Sequence, residues 1–179
     1  MKILISFLFA AALFSVAGGQ AYGQYNYKNL TIILIRHAEK DPQDEEFGNS
    51  YDPRLSEKGR ERAERLADIL ERYRPDAIFS SQFNRTLSTV SPYARRRRMQ
   101  VQFYDHRKLD EMAQIATRGN FKTIVIAGHN TTTPALANIL IGEEKYKTLD
   151  ESEYDKIFIL RIRKNKNGPH RIEDEVITY

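Results

Sequence analysis

Two dipeptides in this chain, Arg36-His37 and Gly128-His129, combine residue types that handle phosphoryl groups. An arginine is always charged and offers a planar fork that matches two phosphate oxygens. A neutral imidazole can attack phosphorus and carry the group as a phosphohistidine, while a second, protonated histidine can donate to an equatorial oxygen. Each dipeptide stands directly after an apolar run rich in Ile, Val and Thr, residues 30–35 and 123–127. Runs of this length and composition read as buried strands of a parallel sheet. Ligands of such sheets sit beyond the carboxyl ends of the strands. The two histidines, far apart in sequence, are therefore expected to meet at one site.

Other strand ends should deliver further polar groups to the same rim. The first offers Glu39 and Lys40 beyond His37, and the second offers Ser80 and Ser81, with Arg85 about one helical turn further on. After the third come Asp105, His106, Asp110 and Glu111, and after the fourth Asn130. Arg36 and Arg85 could clamp an anion from two sides, where a phosphoryl transition state spreads its charge. Gly128 lets backbone come close, and amides near Asn130 could add donors. A carboxylic acid must protonate the leaving oxygen. Ser80 and Ser81 are expected to satisfy turn amides, since neither follows the glycine of a nucleophile elbow. His106 and His170 lack comparable partners and are expected to be solvated.

The elements that must hold these groups are marked locally. A helix should begin at Ser56, which can cap the amides of Lys58 and Gly59, and should end before Pro75. Ala63, Leu66, Ala67, Leu70 and Tyr73 fall on one face of it. Residues 76–80 read as a second strand, 81–90 as a helix interrupted at Pro92, 99–104 as a third strand and 112–117 as a short helix. Residues 122–127 form the fourth strand. The next helix has Thr133 as N-cap, Pro134 at its first position and Gly142 at its end. Residues 156–163 and 171–178 flank Asn165-Lys166-Asn167-Gly168 and read as a hairpin. Residues 39–52 form a polar loop long enough to line a site. The order implies a three-layer α/β/α sandwich, its sheet mostly parallel with an antiparallel edge from the C-terminal hairpin.

Composition narrows the class. The 179 residues suffice for one domain. Met1-Lys2, an apolar stretch over residues 3–14 and the ending Ala21-Tyr22-Gly23 match a secretory signal peptide, 1–23, ahead of a domain spanning 24–179. Cleavage is expected after Gly23 or Ala21, leaving an exported protein, periplasmic or extracellular, with no stable membrane insertion. The absence of cysteine excludes disulfides, thiolate metal sites and cysteine nucleophiles. A net charge of +4 slightly favours an anionic substrate and does not argue for nucleic acid. The run Arg95-Arg96-Arg97-Arg98, with no aromatic residue interleaved, reads as a solvated helix end.

Taken in order, four elements resemble the histidine phosphatase superfamily, which includes phosphoglycerate mutases and acid phosphatases. Ile35-Arg36-His37-Ala38-Glu39 resembles its Arg-His-Gly signature, and Leu55-Ser56-Glu57-Lys58-Gly59 its Leu-Thr-x-x-Gly helix start. Ser80-Ser81 through Arg85-Thr86 is similar to its Ser-Ser…Arg-Ala/Thr element, and Gly128-His129-Asn130 to its second histidine motif. The resemblance implies that His37 is the nucleophile and that Arg36, Arg85 and His129 bind phosphoryl oxygens, with Asn130 beside them. It implies Glu111, in Leu109-Asp110-Glu111, as general acid, and neither metal nor organic cofactor. Two departures stand out. Ala38 replaces the usual glycine, which is tolerable if its backbone angles are ordinary. Asn130 stands where the acid-phosphatase branch carries an aspartate and cannot donate a proton, which leaves Glu111, Asp110 or Glu39 for that role. Arg36-His37-Ala38-Glu39-Lys40-Asp41-Pro42 also echoes the acid-phosphatase Arg-His-Gly-x-Arg-x-Pro, where Lys40 would face the phosphate as a point charge.

The expected protein is an exported phosphatase that hydrolyses small phosphate monoesters through a phosphohistidine on His37. A phosphohistidine protein phosphatase and a non-catalytic anion-binding module of the same fold are its rivals. A metal hydrolase lacks support, because no His-x-His or carboxylate spacing suits a metal.

Overall fold

Residues 30–35 show no polar alternation because the strand they build is covered on both sides. The structure, a computed structural model, describes residues 29–46, 48, 51–163 and 170–179. The expected signal peptide and the expected turn at 165–168 lie outside the described residues. The first strand, β1 (Asn29–Arg36), is followed by a short helix α1 (Pro42–Glu46) and a long one, α2 (Glu57–Leu70). Next come β2 (Ala77–Ser81), α3 (Asn84–Arg97), β3 (Val101–Tyr104) and α4 (Leu109–Arg118). β4 (Thr123–Gly128), α5 (Thr132–Ile141), β5 (Lys156–Arg163) and β6 (Arg171–Thr178) complete the chain. The sheet order is β3-β2-β4-β1-β5-β6, with β1 to β4 mutually parallel and β5 and β6 antiparallel to their neighbours.

Side chains of β1 divide by the two-residue period of a strand. Leu30, Ile32 and Leu34 join one core with α4 and α5, through Met112, Ala116, Leu136 and Leu140. Ile33 and Ile35 join the other with α2 and α3, through Leu66, Leu70, Val90 and Tyr93. The three layers and the antiparallel edge match the expectation. Each fully buried aliphatic of this kind contributes about 1.5–3 kcal/mol.

Ser56 caps α2 as expected, its hydroxyl accepting from the Gly59 amide at 3.1 Å. The 39–52 stretch is not all loop, since it contains α1, anchored by a fork between Arg54 and the Asp44 carboxylate at 2.6 and 2.9 Å. Two other expectations fail. α3 does not stop at Pro92 but runs to Arg97. Thr89, Val90, Pro92, Tyr93 and Ala94 are buried along it, and this packing outweighs the missing amide bond. Thr133 does not cap α5, because the helix begins at Thr132, two residues before Pro134, and the Thr133 hydroxyl donates instead to the Ile35 carbonyl at 3.1 Å. Gly142 does end α5, in the left-handed conformation at φ 76°. The basic run at the end of α3 is paired rather than merely solvated: Arg96 bonds Glu64 at 2.8 Å and Asp68 at 2.5 Å on α2.

The segment after β1 is fixed against the start of α2. The Ser56 amide donates to the Glu39 carbonyl at 3.0 Å, and the Asp41 amide to that of Arg54 at 2.8 Å. Gly59 permits this approach, since a Cβ there would stand 2.3 Å from the Glu39 carbonyl oxygen. Gly59→Ala should therefore destabilise the fold by about 1–3 kcal/mol and lower the thermal midpoint by several degrees. The exposed substitution Glu61→Ala serves as the reference, and equal midpoints for both variants would refute the close-packing account.

Candidate active site

The register of two strands sets the site. In the β1–β4 pair Arg36 lies opposite Gly128, so the next residues, His37 and His129, emerge side by side. Their ring centroids are 5.5 Å apart at an interplanar angle of 67°. Both are buried.

Backbone and hydroxyl partners orient each ring. Nδ1 of His37 lies 2.8 Å from the Ala38 carbonyl. A carbonyl only accepts, so Nδ1 carries the proton and Nε2 keeps its lone pair. On His129, Nε2 lies 2.9 Å from the Ser81 hydroxyl, which is 2.9 Å from that of Thr86. Thr86 in turn donates to the Phe83 carbonyl at 2.8 Å. The chain of donors thus runs outward from the ring, and the other nitrogen, Nδ1, faces an Arg85 guanidinium nitrogen at 3.4 Å. Ser81 therefore does more than satisfy a turn, as it sets the tautomer of His129. The His129 amide donates to the Thr132 hydroxyl at 2.9 Å.

Electrostatics keep both imidazoles neutral. Burial pushes His37 down to about 3 against the Ala38 bond, and the charges of His129, Arg36 and Arg85 push the same way. Burial likewise lowers His129 to about 3, with Arg85, His106 and Arg36 adding to the effect. Two neutral bases beside two cations make a site complementary to an anion.

The arginines approach from different elements. Arg85, near the start of α3, lies with its guanidinium 4.2 Å from the Phe83 ring centroid and bonds the Tyr51 carbonyl at 3.0 Å. Asp52 pairs with it at 3.4 Å and also accepts from the Asn84 amide, capping α3 in place of Phe83. Arg36 is almost fully enclosed, its guanidinium 4.1 Å from the Tyr154 ring. Its terminal nitrogens bond the Asp150 carbonyl at 2.6 Å, the Glu153 carbonyl at 3.0 Å and the Glu151 carboxylate at 2.9 Å. Its Nε is buried with no hydrogen-bond partner among the described residues. That donor is available to a ligand oxygen.

The remaining expected residues are distributed as follows. Ala38 fits, as only Arg98 among described non-glycine residues has positive φ, and its amide donates to Thr89 at 2.9 Å. Its methyl packs with Leu55 and Ala63. Lys40 is half-buried and bridges to Leu55. The Asn130 amide donates to Glu151 at 3.0 Å. Glu39 is bound by both arms of Arg62 at 2.8 Å. Burial would raise its pKa, but the bonds from Arg62 and Lys58 prevail and hold it below the usual carboxylate range. Glu111 lies on the first turn of α4, 63% exposed and paired with Lys108 at 3.0 Å. No described contact joins it to either histidine.

Two features of the site go beyond the sequence reading, which puts His106 at the rim as a solvated residue and does not foresee the strap over Arg36. His106 is half-buried rather than fully solvated, its ring packing 5.5 Å from that of His129 and 5.1 Å from Phe83. The strap of residues 149–154 closes over Arg36, with Tyr154 6.0 Å from the His37 ring. The acidic set Asp150, Glu151 and Glu153 ahead of a strand was the only hint of a partner for a buried cation.

Comparison with known proteins agrees with this geometry. Residues 32–113 match the Histidine phosphatase superfamily (branch 1). Among solved structures, a protein provisionally assigned as an alpha-ribazole-5'-P phosphatase from Escherichia coli superposes with a TM-score of 0.64 at 15% identity, covering 84% of this chain and 96% of that one. A protein provisionally assigned as phosphohistidine phosphatase SixA from Agrobacterium tumefaciens gives 0.56 at 23% identity, covering 83% and 98%. Phosphoserine phosphatase from Entamoeba histolytica, in complex with 3-phosphoglyceric acid, gives 0.58 at 16% identity, covering 80% and 94%. At these identities the likeness is one of fold. A comparison with curated protein sequences gives no match. The matched segment, the shared fold and the paired histidines agree: residues 32–113 are similar to the histidine phosphatase superfamily, and the chain has the fold of the phosphatases compared with it.

Proposed function

We propose that the chain is an exported phosphatase that hydrolyses small phosphate monoesters through a phosphohistidine on His37. The observation that carries the reading is the pair of neutral imidazoles 5.5 Å apart with Arg36 and Arg85 beside them. His37 Nε2 attacks phosphorus, and the bond to the leaving oxygen breaks. Arg36 Nε, Arg85 and His129 hold the equatorial oxygens, with Lys40 and Asn130 at the rim. The incoming dianion favours protonation of His129, which then donates to an oxygen. Water next displaces His37 from phosphorus and releases inorganic phosphate. Export, to the periplasm or outside the cell, rests on the composition of residues 1–23.

Mature protein given an aryl phosphate and quenched should carry acid-labile, alkali-stable phosphate. Turnover should be indifferent to a strong chelator. His37→Ala should lose the phosphoenzyme and at least about a thousandfold in rate. Full activity in that variant would remove the proposed nucleophile, and chelator-sensitive turnover would point to a metal enzyme.

Stability should respond to the two buried imidazoles. Each binds its proton near 6.5 in an ordinary setting and near 3 in the folded chain. Between these values the unfolded state holds more protons, so stability falls as pH drops from 6.5. The slope contribution is up to about 1.4 kcal/mol per pH unit for each histidine. Denaturant unfolding at pH 7, 6 and 5 measures it. A His37→Ala variant with the wild-type slope would show that His37 is not buried neutral.

A further inference from the structure

The leaving oxygen must gain a proton, and the carboxylates offered by the sequence are either ion-paired or exposed on α4. Glu39 is bound by Arg62 and Lys58, and Glu111 by Lys108. Asp105 pairs with Arg107 at 2.9 Å, and Asp110 is exposed on α4. Glu151 sits on Arg36 and Asn130, among groups that would hold oxyanions.

His106 is placed differently. It follows β3 by two residues, and its half-buried ring meets that of His129 at 5.5 Å and 64°. Phe83 touches both, 5.1 Å from His106 and 5.0 Å from His129. The three rings form a continuous wall leading out from the catalytic histidines. Beside it lies a cavity of about 310 Å³, lined by Tyr51, Phe83, Tyr104, His106 and Arg107 among others. That volume is within the range of small-molecule pockets.

We propose that His106 protonates the leaving oxygen, whose alcohol occupies this cavity, and then takes the proton of the attacking water. The inference rests on the phosphatase reading above. In the first step the N–P bond to His37 forms as the P–O bond breaks, and the electron pair on the leaving oxygen takes the His106 proton. In the second, the water O–P bond forms as N–P breaks, the pair returns to His37, and the proton released by water restores His106. An imidazole suits both roles because a ring nitrogen can donate a proton in one step and accept one in the next.

The test is a series of phosphate esters from alkyl to p-nitrophenyl, read as kcat/KM. An alkoxide needs a proton to leave, whereas p-nitrophenolate does not. His106→Gln and His106→Asn should lose about 10²- to 10³-fold on alkyl phosphates and no more than about tenfold on p-nitrophenyl phosphate. Both should still form the phosphoenzyme from the latter, which separates this inference from the nucleophile assignment. An equal loss across the series would make His106 merely structural and overturn the proposal. The selective loss appearing in Glu111→Gln instead would also overturn it. A wild-type protein inactive across the series would overturn the phosphatase reading itself.

Discussion

The parallel pairing of β1 with β4, in the register that sets Arg36 opposite Gly128, is the constraint from which the site follows. Each strand ends in a histidine one residue later, and the shared height turns two distant residues into neighbours. A slip of one residue would send every side chain of β1 to the opposite face. That slip is opposed by two cores at once, since Ile32 and Leu34 belong to one and Ile33 and Ile35 to the other. The same burial that makes β1 read as an unbroken apolar run thus aligns the two histidines.

The second constraint is electrostatic. Arg36 is charged and nearly inaccessible, which is costly unless its donors are satisfied. The strap supplies two carbonyls, a carboxylate and the Tyr154 ring. These contacts hold the guanidinium in one orientation and leave Nε uncommitted. Arg85 is held likewise by Phe83, Tyr51 and Asp52. The cations are therefore held in fixed orientations, which is the preorganisation that the proposed phosphoryl chemistry requires. Neutral imidazoles complete the balance, because a protonated His37 would be neither a nucleophile nor a tolerable neighbour for Arg36.

Residues that hold the histidines come from every layer. Ser81 and Thr86 set the His129 tautomer, Thr132 takes its amide, and the Ala38 carbonyl sets that of His37. Gly59 lets α2 press against the segment after β1. Most of these partners are small hydroxyls or backbone groups, which have few rotamers to lose on folding. The rings of His129, Phe83 and His106 run from this polar network to the adjoining cavity.

Much of the architecture could be read from local pattern. The buried strands, the Ser56 cap, the Gly142 terminus and the limits of β5 and β6 each depend on residues within a turn or two of one another. The meeting of His37 with His129, and the nearness of Arg85, followed from strand ends and topology. What depended on partners distant in the chain was not legible. α3 passes Pro92 because of what its far side packs against, and Thr133 bonds Ile35 rather than capping its own helix. His106 reads as a loop histidine until Phe83 and His129 are placed beside it. Local sequence determined which elements form and what chemistry their ends carry, because backbone preference and amphipathic period are short-range properties. Only the tertiary structure decided which charges are enclosed and which ring nitrogens are free, because desolvation and hydrogen-bond direction depend on segments brought together from all parts of the chain.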